Sequence, residues 1–316
     1  FLGQMMEGKR GVAVAGTHGK TTTTAMIATI LLEAERDPTF IVGGVVTDLE
    51  TNARAGTDPL FLIEADEYDC TFLSLKPDLA IITNVEHDHP DCYPTFDAFR
   101  SAFESFADMV PADGLLAVCA DDQVASDIGR RRAEQPGASA GPSVRFFGLG
   151  DEADWRAEEI QANFAGGVDF LAVHRGETLG LVRLRVPGAH NASNAMGAMA
   201  VTDRLGVPFS VTREALRGFR GVARRFEVKG EAGGVVVVDD YAHHPTEIRA
   251  TLRAAKERYP ERRIWAVWQP HTYSRTSELL GEFATAFADA DRVVVLPIYP
   301  ARETDTLGVS AEVVGA

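Results

Sequence analysis

The chain has 316 residues and a formal net charge of −15, and 45% of its residues are hydrophobic. This length and composition are typical of a soluble globular protein that is large enough for two domains, each with its own core. The acidic balance argues against a general nucleic-acid-binding protein, because no basic excess is present to neutralise phosphates.

Cysteine content and hydropathy predict the compartment. The three cysteines are far apart in the sequence and predict neither a disulfide framework nor a zinc site, which fits a reducing compartment. No signal peptide and no apolar span of about 18 residues is visible, so we predict a cytoplasmic protein without a membrane partner. The chain begins close to its first motif and ends without a helix stop pattern, so we expect both ends to be truncated.

The first part of the chain alternates apolar runs with helical patterns. Such alternation predicts crossover units and a mostly parallel sheet. A segment rich in Pro, Gly and Ser at residues 135–143 predicts a loop. The predicted strands are Val12–Ala15, Leu60–Glu64, Leu79–Thr83 and Leu115–Cys119, and the predicted helices are Thr21–Glu35, Phe96–Met109 and Gln123–Glu134.

The pattern changes after residue 143. Short apolar runs separated by turn residues predict an antiparallel meander at Val144–Phe147, Trp155–Gln161, Val168–Arg175 and Thr178–Val186. Two helices are predicted next, at His190–Leu205 and Thr212–Phe219. A second, smaller α/β block begins near Gly221, with strands at Val235–Asp239, Ile264–Trp268 and Arg292–Ile298 and helices at Pro245–Tyr259 and Ser274–Ala288.

A glycine-rich turn joins the first predicted strand to the first predicted helix. In such turns backbone N–H groups converge on an anion, and the helix N-terminus adds positive potential. A lysine and a threonine at the helix start suit the β/γ-phosphates and a Mg²⁺ ion, respectively. Val14 replaces the first glycine of the longer P-loop pattern, so a turn that merely uses glycine is the alternative interpretation. The residues predicted to bind phosphate are Gly16, Thr17, His18, Gly19, Lys20, Thr21 and Thr22.

Polar side chains also follow the next two predicted strands. Glu64 ends the second strand and is followed by Asp66, Glu67 and Asp69, whose roles stay open. Ligands bind at the carboxyl ends of strands in open α/β sheets, and Mg²⁺ typically takes one or two carboxylates. We therefore predict that Glu64 binds a metal, with a solvated acidic turn as the alternative. The loop at residues 83–91 mixes histidines and carboxylates and is a second candidate for metal binding.

Three further polar segments lie at predicted element boundaries. Residues 187–195 contain two asparagines three positions apart, whose amides suit either an adenine edge or the capping of a helix. Residues 224–226 with 239–247, and residues 268–276, place arginine, histidine and acidic side chains between strands and helices. Each alone is typical of a polar surface connection, but together they favour a composite nucleotide site.

Taken in order, these segments resemble the motifs of the Mur ligase family of ATP-dependent amide-forming enzymes. The resemblance covers the whole chain and rests on seven motifs, at residues 16–24, 64–69, 83–89, 188–195, 224–227, 239–247 and 269–276. Family members have a UDP-binding N-terminal domain, a central ATPase domain and a C-terminal Rossmann-like domain.

The resemblance also implies a domain organisation for this chain. A central ATP-binding P-loop domain, with a mostly parallel sheet and a small antiparallel meander, is expected at residues 1–222. An incomplete Rossmann-like α/β domain is expected at residues 223–316, and the UDP-binding domain is expected to be absent.

The resemblance is strongest to members that add L-alanine to UDP-N-acetylmuramate in peptidoglycan synthesis. It implies that ATP phosphorylates the lactyl carboxylate, that the amine attacks the resulting acyl phosphate, and that Mg²⁺ is needed. The ATP site then forms between two domains, so closure is expected in the cycle. We expect this chain alone to bind Mg-ATP weakly and to ligate nothing.

The resemblance assigns roles to individual residues. The implied catalytic residues are Lys20, His89 and Arg225, and the implied metal ligands are Thr21, Glu64 and His89. Nucleotide contacts beyond the phosphate loop are implied for Asn191, Asn194, Arg225 and Asp240. The side chains implied to face the sugar substrate or the amine are Tyr241, His243, His271 and Arg275.

Several alternatives remain open at this point. Many alanine-adding members have serine in place of Tyr68, whereas the related murein-peptide ligases, which attach a recycled tripeptide, often have tyrosine. A folate or cyanophycin-type ligase should lack the motifs at residues 240–245 and 269–271. A non-ligating P-loop protein would bind ATP without releasing phosphate when UDP-N-acetylmuramate and alanine are added. The oligomeric state is not predicted.

Overall fold

The computed structural model describes residues 2–134 and 142–315. These residues form two compact units: the first contains the residues up to His87 together with Thr95–Ala223, and the second contains Asp88–Pro94 together with the residues from Arg224 onward. Of the predicted loop at residues 135–143, residues 135–141 lie outside the described residues. The functional domain assignment, with its boundary at residues 222 and 223, remains a prediction.

The first unit is built on one sheet. Within the described residues this sheet has ten strands in the order β10-β9-β8-β7-β6-β5-β1-β4-β2-β3. The strands are β1 Arg10–Ala15, β2 Thr39–Val46, β3 Thr51–Arg54, β4 Leu60–Glu64, β5 Leu79–Ile82, β6 Leu115–Cys119, β7 Ser143–Gly148, β8 Trp155–Ala162, β9 Val168–His174 and β10 Glu177–Arg183. The helices are α1 Leu2–Met5, α2 Lys20–Glu33, α3 Phe96–Asp108, α4 Gln123–Glu134, α5 Ala189–Arg204 and α6 Phe209–Gly218, and a 3₁₀ helix covers Tyr68–Ser74.

Strand pairing confirms the predicted fold class. In the order of the sheet, all neighbouring strands from β8 across to β2 pair in parallel. Strand β3 pairs antiparallel with β2 at one edge, and β9 and β10 add an antiparallel hairpin to β8 at the other. One detail differs, because β7 pairs in parallel with β6 and β8 and so belongs to the parallel part and not to the meander. Strands β2 and β3 were not predicted from the sequence. In β3 the residues are polar and mostly exposed at the sheet edge, so no apolar alternation marks this strand.

Helix α2 follows β1 directly and is buried along most of its length. Its residues from Thr21 to Ala28 are all buried, as are Ile30 and Leu31. The helix packs against α5 and α6, and Met26 and Ile30 join the main apolar core of the unit. This burial fixes the N-terminal turn of α2 at the end of β1.

A cluster of phenylalanines supports the acidic segment after β4. The ring of Phe72, in the 3₁₀ helix, lies 5.2 Å from that of Phe103 and 5.1 Å from that of Phe106, both on α3. Phe99 adds an edge-to-face contact with Phe103 at 5.1 Å. Because these rings are fully buried, they anchor the chain just beyond Glu67 to a rigid helix.

The second unit contains two separate strand pairs among its described residues. Strands β11 Glu227–Ala232 and β12 Val235–Asp239 form an antiparallel hairpin, and β13 Trp265–Trp268 pairs in parallel with β14 Arg292–Val295. Strand β11 was not predicted from the sequence, and β12 pairs with β11 and not with β13 or β14. The helices are α7 Pro245–Arg258, α8 Tyr273–Glu278, α9 Leu280–Ala286 and α10 Ala311–Val314.

One predicted helix of the second unit is divided. The segment predicted as Ser274–Ala288 forms α8 and α9, which meet at Leu279. Apolar residues of the unit, including Leu252, Trp268 and Phe283, pack into a small core of their own. Throughout the described part of the chain, no helix combines the length and the apolar character needed to cross a bilayer.

Replacing Phe103 with alanine is expected to lower the free energy of unfolding by about 3–5 kcal/mol, because a cavity would remain between Phe72 and Phe99. Urea denaturation followed by circular dichroism measures this change. The matched control is Phe164→Ala, since Phe164 is fully exposed in the turn after β8, and a shift below about 0.5 kcal/mol is expected there. Equal shifts in the two variants would contradict the packing described.

Candidate functional site

The glycine-rich turn lies where β1 ends between β4 and β5. Its backbone takes conformations that favour glycine, with φ of +137° at Gly16 and +79° at Gly19. A Cβ atom on Gly16 would fall 1.9 Å from Thr83 Oγ1, and one on Gly19 would fall 2.7 Å from Asn194 Oδ1. Both glycines are therefore required by close neighbours as well as by the turn.

The loop after β5 holds the glycine-rich turn in place. Thr17 N–H donates to the Asn84 carbonyl at 3.0 Å, and His18 N–H donates to Asn84 Oδ1 at 2.8 Å. The Thr83 hydroxyl donates to the His18 carbonyl at 2.5 Å, and the Thr17 hydroxyl donates to the Glu86 carbonyl at 2.9 Å. The segment predicted as a metal loop thus shapes the turn, a role that sequence reasoning missed for Thr83 and Asn84.

Lys20 is the first residue of α2, and its ammonium group is held by the turn and by one acid. It donates to the carbonyls of Gly16 at 2.5 Å and Thr17 at 3.1 Å, and it lies 3.0 and 2.9 Å from the two carboxylate oxygens of Glu67. Burial lowers the pKa of Lys20 and nearby carboxylates raise it, with Glu67 the strongest, and the net direction is upward. Lys20 is therefore a charged group paired with a carboxylate.

Among the three acids after β4, burial separates the roles that the sequence left open. Glu67 is only 2% exposed, whereas Asp66 and Asp69 are exposed. Glu67 is thus the acid that pairs with Lys20 at the glycine-rich turn, and it is a candidate functional residue that was not predicted from the sequence. Its burial next to the 3₁₀ helix was not visible from a run of similar carboxylates.

Thr21 and Glu64 form the second polar pair at this edge. The Thr21 hydroxyl donates to Glu64 Oε1 at 2.9 Å, and Gly43 N–H donates to Glu64 Oε2 at 2.6 Å. A hydroxyl and a carboxylate oxygen side by side are the hard ligands that Mg²⁺ prefers, usually together with phosphate oxygens and water. The residues present therefore fit the metal predicted for them.

The two asparagines of α5 form a chain of hydrogen bonds. Asn194 Nδ2 donates to Asn191 Oδ1 at 3.2 Å, and Asn191 Nδ2 donates to the Pro187 carbonyl at 2.7 Å. Both side chains are buried, and Asn194 Oδ1 lies next to Gly19. The structure thus brings Asn194 to the predicted phosphate loop, while an adenine contact remains a prediction.

A second cluster of predicted residues lies within the second unit, around Asp88. Arg275 donates from both Nε and Nη2 to Asp88 Oδ1, each at 2.8 Å, and both side chains are buried. Burial alone would raise the pKa of Asp88, but Arg275 and His89 hold it well below its usual range. Arg275, predicted to face substrate, therefore has most of its guanidinium group committed to a carboxylate 187 positions earlier.

The histidines of this unit surround the same ion pair. His89 N–H donates to Asp88 Oδ1 at 2.8 Å, and His89 has a left-handed backbone with φ of +57°. Arg275 Nη1 lies 3.2 Å from His271 Nδ1, and the rings of His271 and His243 are 6.1 Å apart. The structure thus brings together four residues predicted separately: His89, His243, His271 and Arg275.

Asp240 and Arg225 lie in the turns that flank the β11–β12 hairpin. The two carboxylate oxygens of Asp240 accept hydrogen bonds from Phe226 N–H at 2.7 Å and Ala242 N–H at 2.8 Å, and burial raises the pKa of Asp240. These bonds hold the segment that carries Arg225, whose guanidinium lies 5.4 Å from the ring of Tyr241. Asp240 therefore shapes the turn that carries Arg225, and a nucleotide contact of Asp240 remains a prediction.

The chain matches two models of known protein families. Residues 14–202 match the model of the Mur ligase middle domain, and residues 224–315 match that of the Mur ligase glutamate ligase domain. A curated relative, the UDP-N-acetylmuramate–L-alanine ligase of Geobacter sp. (strain M21), is 45% identical over 312 residues, which cover 99% of this chain and 66% of the relative. The chain thus spans slightly less than two thirds of that relative's length.

Two solved structures of ligases are also similar to this chain. The UDP-N-acetylmuramate–alanine ligase of Thermotoga maritima superposes with a TM-score of 0.76 at 32% identity, over 94% of this chain and 63% of that one. A murein peptide ligase from Psychrobacter arcticus superposes with a TM-score of 0.66 at 30% identity, over 92% of this chain and 64% of that one. The fold is therefore shared with enzymes whose named amine substrates differ.

Replacing Glu67 with glutamine is expected to strengthen binding of metal-free ATP by about ten-fold, because one negative charge next to Lys20 and the incoming phosphates is removed. Isothermal titration calorimetry with excess chelator measures this affinity. Asp69→Asn, which neutralises an exposed acid of the same segment, is the control and should leave the affinity unchanged. An unchanged or weaker affinity for Glu67→Gln would refute the charge competition.

Proposed function

The chain belongs to the Mur ligase family, and we propose that it acts in an ATP-dependent ligation that joins L-alanine to the lactyl carboxylate of UDP-N-acetylmuramate. The product of such a reaction is an amide, and ADP and phosphate are released. The reaction belongs to peptidoglycan synthesis. The first unit supplies the nucleotide site, and the second unit supplies groups for the other two substrates.

The observation that carries the proposal is the placement of Lys20 and Thr21 in the first turn of α2, with Glu64 at the end of β4 bonded to Thr21. First-turn N–H groups of a helix lack intrahelical acceptors and favour an anion. Lys20 adds a fixed positive charge, and its contacts with the carbonyls of Gly16 and Thr17 keep the ammonium over the turn. This combination suits the β- and γ-phosphates of ATP.

Carboxylate activation explains why a nucleotide site is needed for amide formation. A carboxylate is a poor electrophile, so its oxygen attacks the γ-phosphorus of ATP, ADP leaves, and an acyl phosphate forms. The amine then attacks the acyl carbon, and phosphate leaves from the tetrahedral intermediate. Negative charge accumulates in both steps, so preorganised positive groups lower the barrier.

Metal binding is the second part of the proposal. Thr21 and Glu64 would hold one Mg²⁺ and His89 a second, and such an ion supplies charge neutralisation for phosphate oxygens. Lys20 would neutralise phosphate charge from the protein side. The buried Glu67 carboxylate balances Lys20 in the absence of nucleotide.

The second candidate function differs from the first in the identity of the amine substrate. Tyr68 follows Glu67 in the acidic segment, and the chain is 30% identical to a structure named as a murein peptide ligase. An enzyme that attaches a peptide to UDP-N-acetylmuramate is therefore the second candidate. The 45% identity to the alanine-adding relative from Geobacter favours L-alanine.

An amine panel tests both candidates. The enzyme at the full length encoded by its gene is incubated with ATP, Mg²⁺, UDP-N-acetylmuramate and either L-alanine, glycine or a tripeptide. Phosphate release and product mass are recorded. L-Alanine is expected to give the highest kcat/KM, a preference for the tripeptide would establish the second candidate, and nucleotide binding without any release would contradict ligation.

Replacing Lys20 with alanine is expected to reduce kcat by at least about 10³-fold, because the γ-phosphate loses its fixed cation during transfer. Steady-state phosphate release measures the loss. Lys9→Ala is the control, since Lys9 donates to the Thr39 hydroxyl away from the turn. Turnover by Lys20→Ala close to that of the unsubstituted enzyme would contradict the phosphate-loop role.

A further inference from the structure

The two histidines near Asp88 are held by partners whose chemistry fixes their protons. Arg275 Nη1 lies 3.2 Å from His271 Nδ1 and also donates to the His271 carbonyl at 3.2 Å. A guanidinium group has only donors and stays protonated. His271 Nδ1 must therefore accept, and the ring proton of a neutral His271 lies on Nε2.

His243 has the opposite constraint. Its Nδ1 lies 2.9 Å from the carbonyl oxygen of Tyr241, and a carbonyl oxygen can only accept. The proton of a neutral His243 ring therefore lies on Nδ1. Its Nε2 then carries a lone pair and is an acceptor.

The position of Arg275 is itself fixed by Asp88. One carboxylate oxygen accepts from Nε and Nη2 at 2.8 Å each, and the side chains of Arg275 and Asp88 are 6% and 5% exposed. A buried pair of this kind holds the planar guanidinium in one orientation. The remaining nitrogen, Nη1, is thereby directed at His271.

The backbone around His271 is also fixed. The ring of His271 stacks on that of Tyr299, with 5.4 Å between the ring centroids, and Thr272 N–H donates to the Tyr299 carbonyl at 2.9 Å. Thr272 has φ of +68°, which is unfavourable for a β-branched residue. Strain of this kind persists only where the surroundings demand one conformation, and it is common at functional sites.

Burial is the main factor that favours the neutral forms of both rings. Burial lowers the pKa of His271, Arg275 and His243 lower it further, and Asp88 and Glu303 act in the opposite direction. Burial likewise lowers the pKa of His243, opposed by Glu247 and Asp88. Both rings are therefore neutral at pH 7, and only a neutral ring has tautomers.

We propose that His271 and His243 are held in opposite tautomers, so that His271 presents an N–H donor at Nε2 and His243 presents an acceptor at Nε2. Their ring centroids are 6.1 Å apart, close enough for one small molecule to contact both. The pair suits a ligand with an anionic acceptor and an N–H donor, as the carboxylate and amine of an α-amino acid provide. This ligand class rests on the proposed ligase function, whereas the tautomers do not.

Roles follow for the four residues. His271 stabilises a substrate anion by donating a hydrogen bond and does not take a proton from the amine. His243 is the ring that accepts a hydrogen bond from the amine nitrogen. Asp88 and Arg275 are positioning residues that act through His271.

Nitrogen NMR of the ¹⁵N-histidine-labelled chain tests the tautomers directly at pH 7.5. The chain has eight histidines, so His271→Gln and His243→Gln assign the two sets of signals. His271 is expected to show a protonated Nε2 and an unprotonated Nδ1, and His243 the reverse. The same tautomer in both rings, a tautomer mixture in either, or an imidazolium at His271 would overturn the proposal.

Arg275→Lys tests the positioning role. A lysine ammonium lacks the planar fork that reaches Asp88 and His271 together, so the His271 signals should shift to a tautomer mixture while those of His243 keep their pattern. Arg249→Lys, at an exposed arginine of the same unit, should leave both rings unchanged. Unaltered His271 signals in Arg275→Lys would overturn the positioning role, and the unsubstituted chain still decides the tautomers if this variant does not fold.

Kinetics of the full-length enzyme test the donor role. A glutamine side-chain amide can place an N–H near the position of His271 Nε2, whereas alanine cannot. His271→Ala should raise KM for the amine by at least about ten-fold, and His271→Gln should recover most of that loss with a small effect on kcat. Equal losses of kcat in both variants at unchanged KM would overturn the donor role. Absence of ligation by the unsubstituted enzyme would instead refute the proposed function and leave the NMR result standing.

Discussion

Parallel pairing of β4, β1 and β5 is the constraint on which the proposed nucleotide site depends. Because the three strands run in the same direction, the loops that follow them meet at one edge of the sheet. The glycine-rich turn follows β1, the acidic segment follows β4, and the loop with Thr83 and Asn84 follows β5. The glycine-rich turn supplies backbone donors, and the acidic segment supplies carboxylates. The loop after β5 supplies the Thr83 hydroxyl that closes the turn.

Charge balance at this edge follows from the same geometry. Lys20 would be a buried unpaired cation without Glu67, and such a group is strongly destabilising. The pairing satisfies both charges before any nucleotide binds. In the proposed complex with ATP, phosphate oxygens would have to compete with the Glu67 carboxylate for Lys20. Thr21, which follows Lys20, and Glu64 are the candidate metal ligands. A cation bound by them would offset the negative charge of Glu64.

The sequence predicted the strand ends and the motifs but not the contacts that join distant residues. β4 and β6 have the predicted bounds, because continuous apolar runs mark buried parallel strands. By contrast, β3 is mostly polar and was not predicted. The predicted helix that divides at Leu279 contains no proline to mark the break. Glu67 and Asp69 look alike in the sequence, and only the packing of Phe72 separates a buried acid from an exposed one. The Asp88–Arg275 pair joins residues 187 positions apart, which no local pattern reveals.

The central claim is that a carboxylate is activated by phosphorylation before the amide forms. The most direct measurement uses UDP-N-acetylmuramate with ¹⁸O in both oxygens of its lactyl carboxylate, together with ATP, Mg²⁺, L-alanine and the full-length enzyme. Mass spectrometry of the released phosphate then follows the label. An acyl phosphate transfers one carboxylate oxygen to phosphorus, so the account predicts one ¹⁸O atom in each phosphate released. Phosphate without ¹⁸O, formed along with the amide, would contradict it.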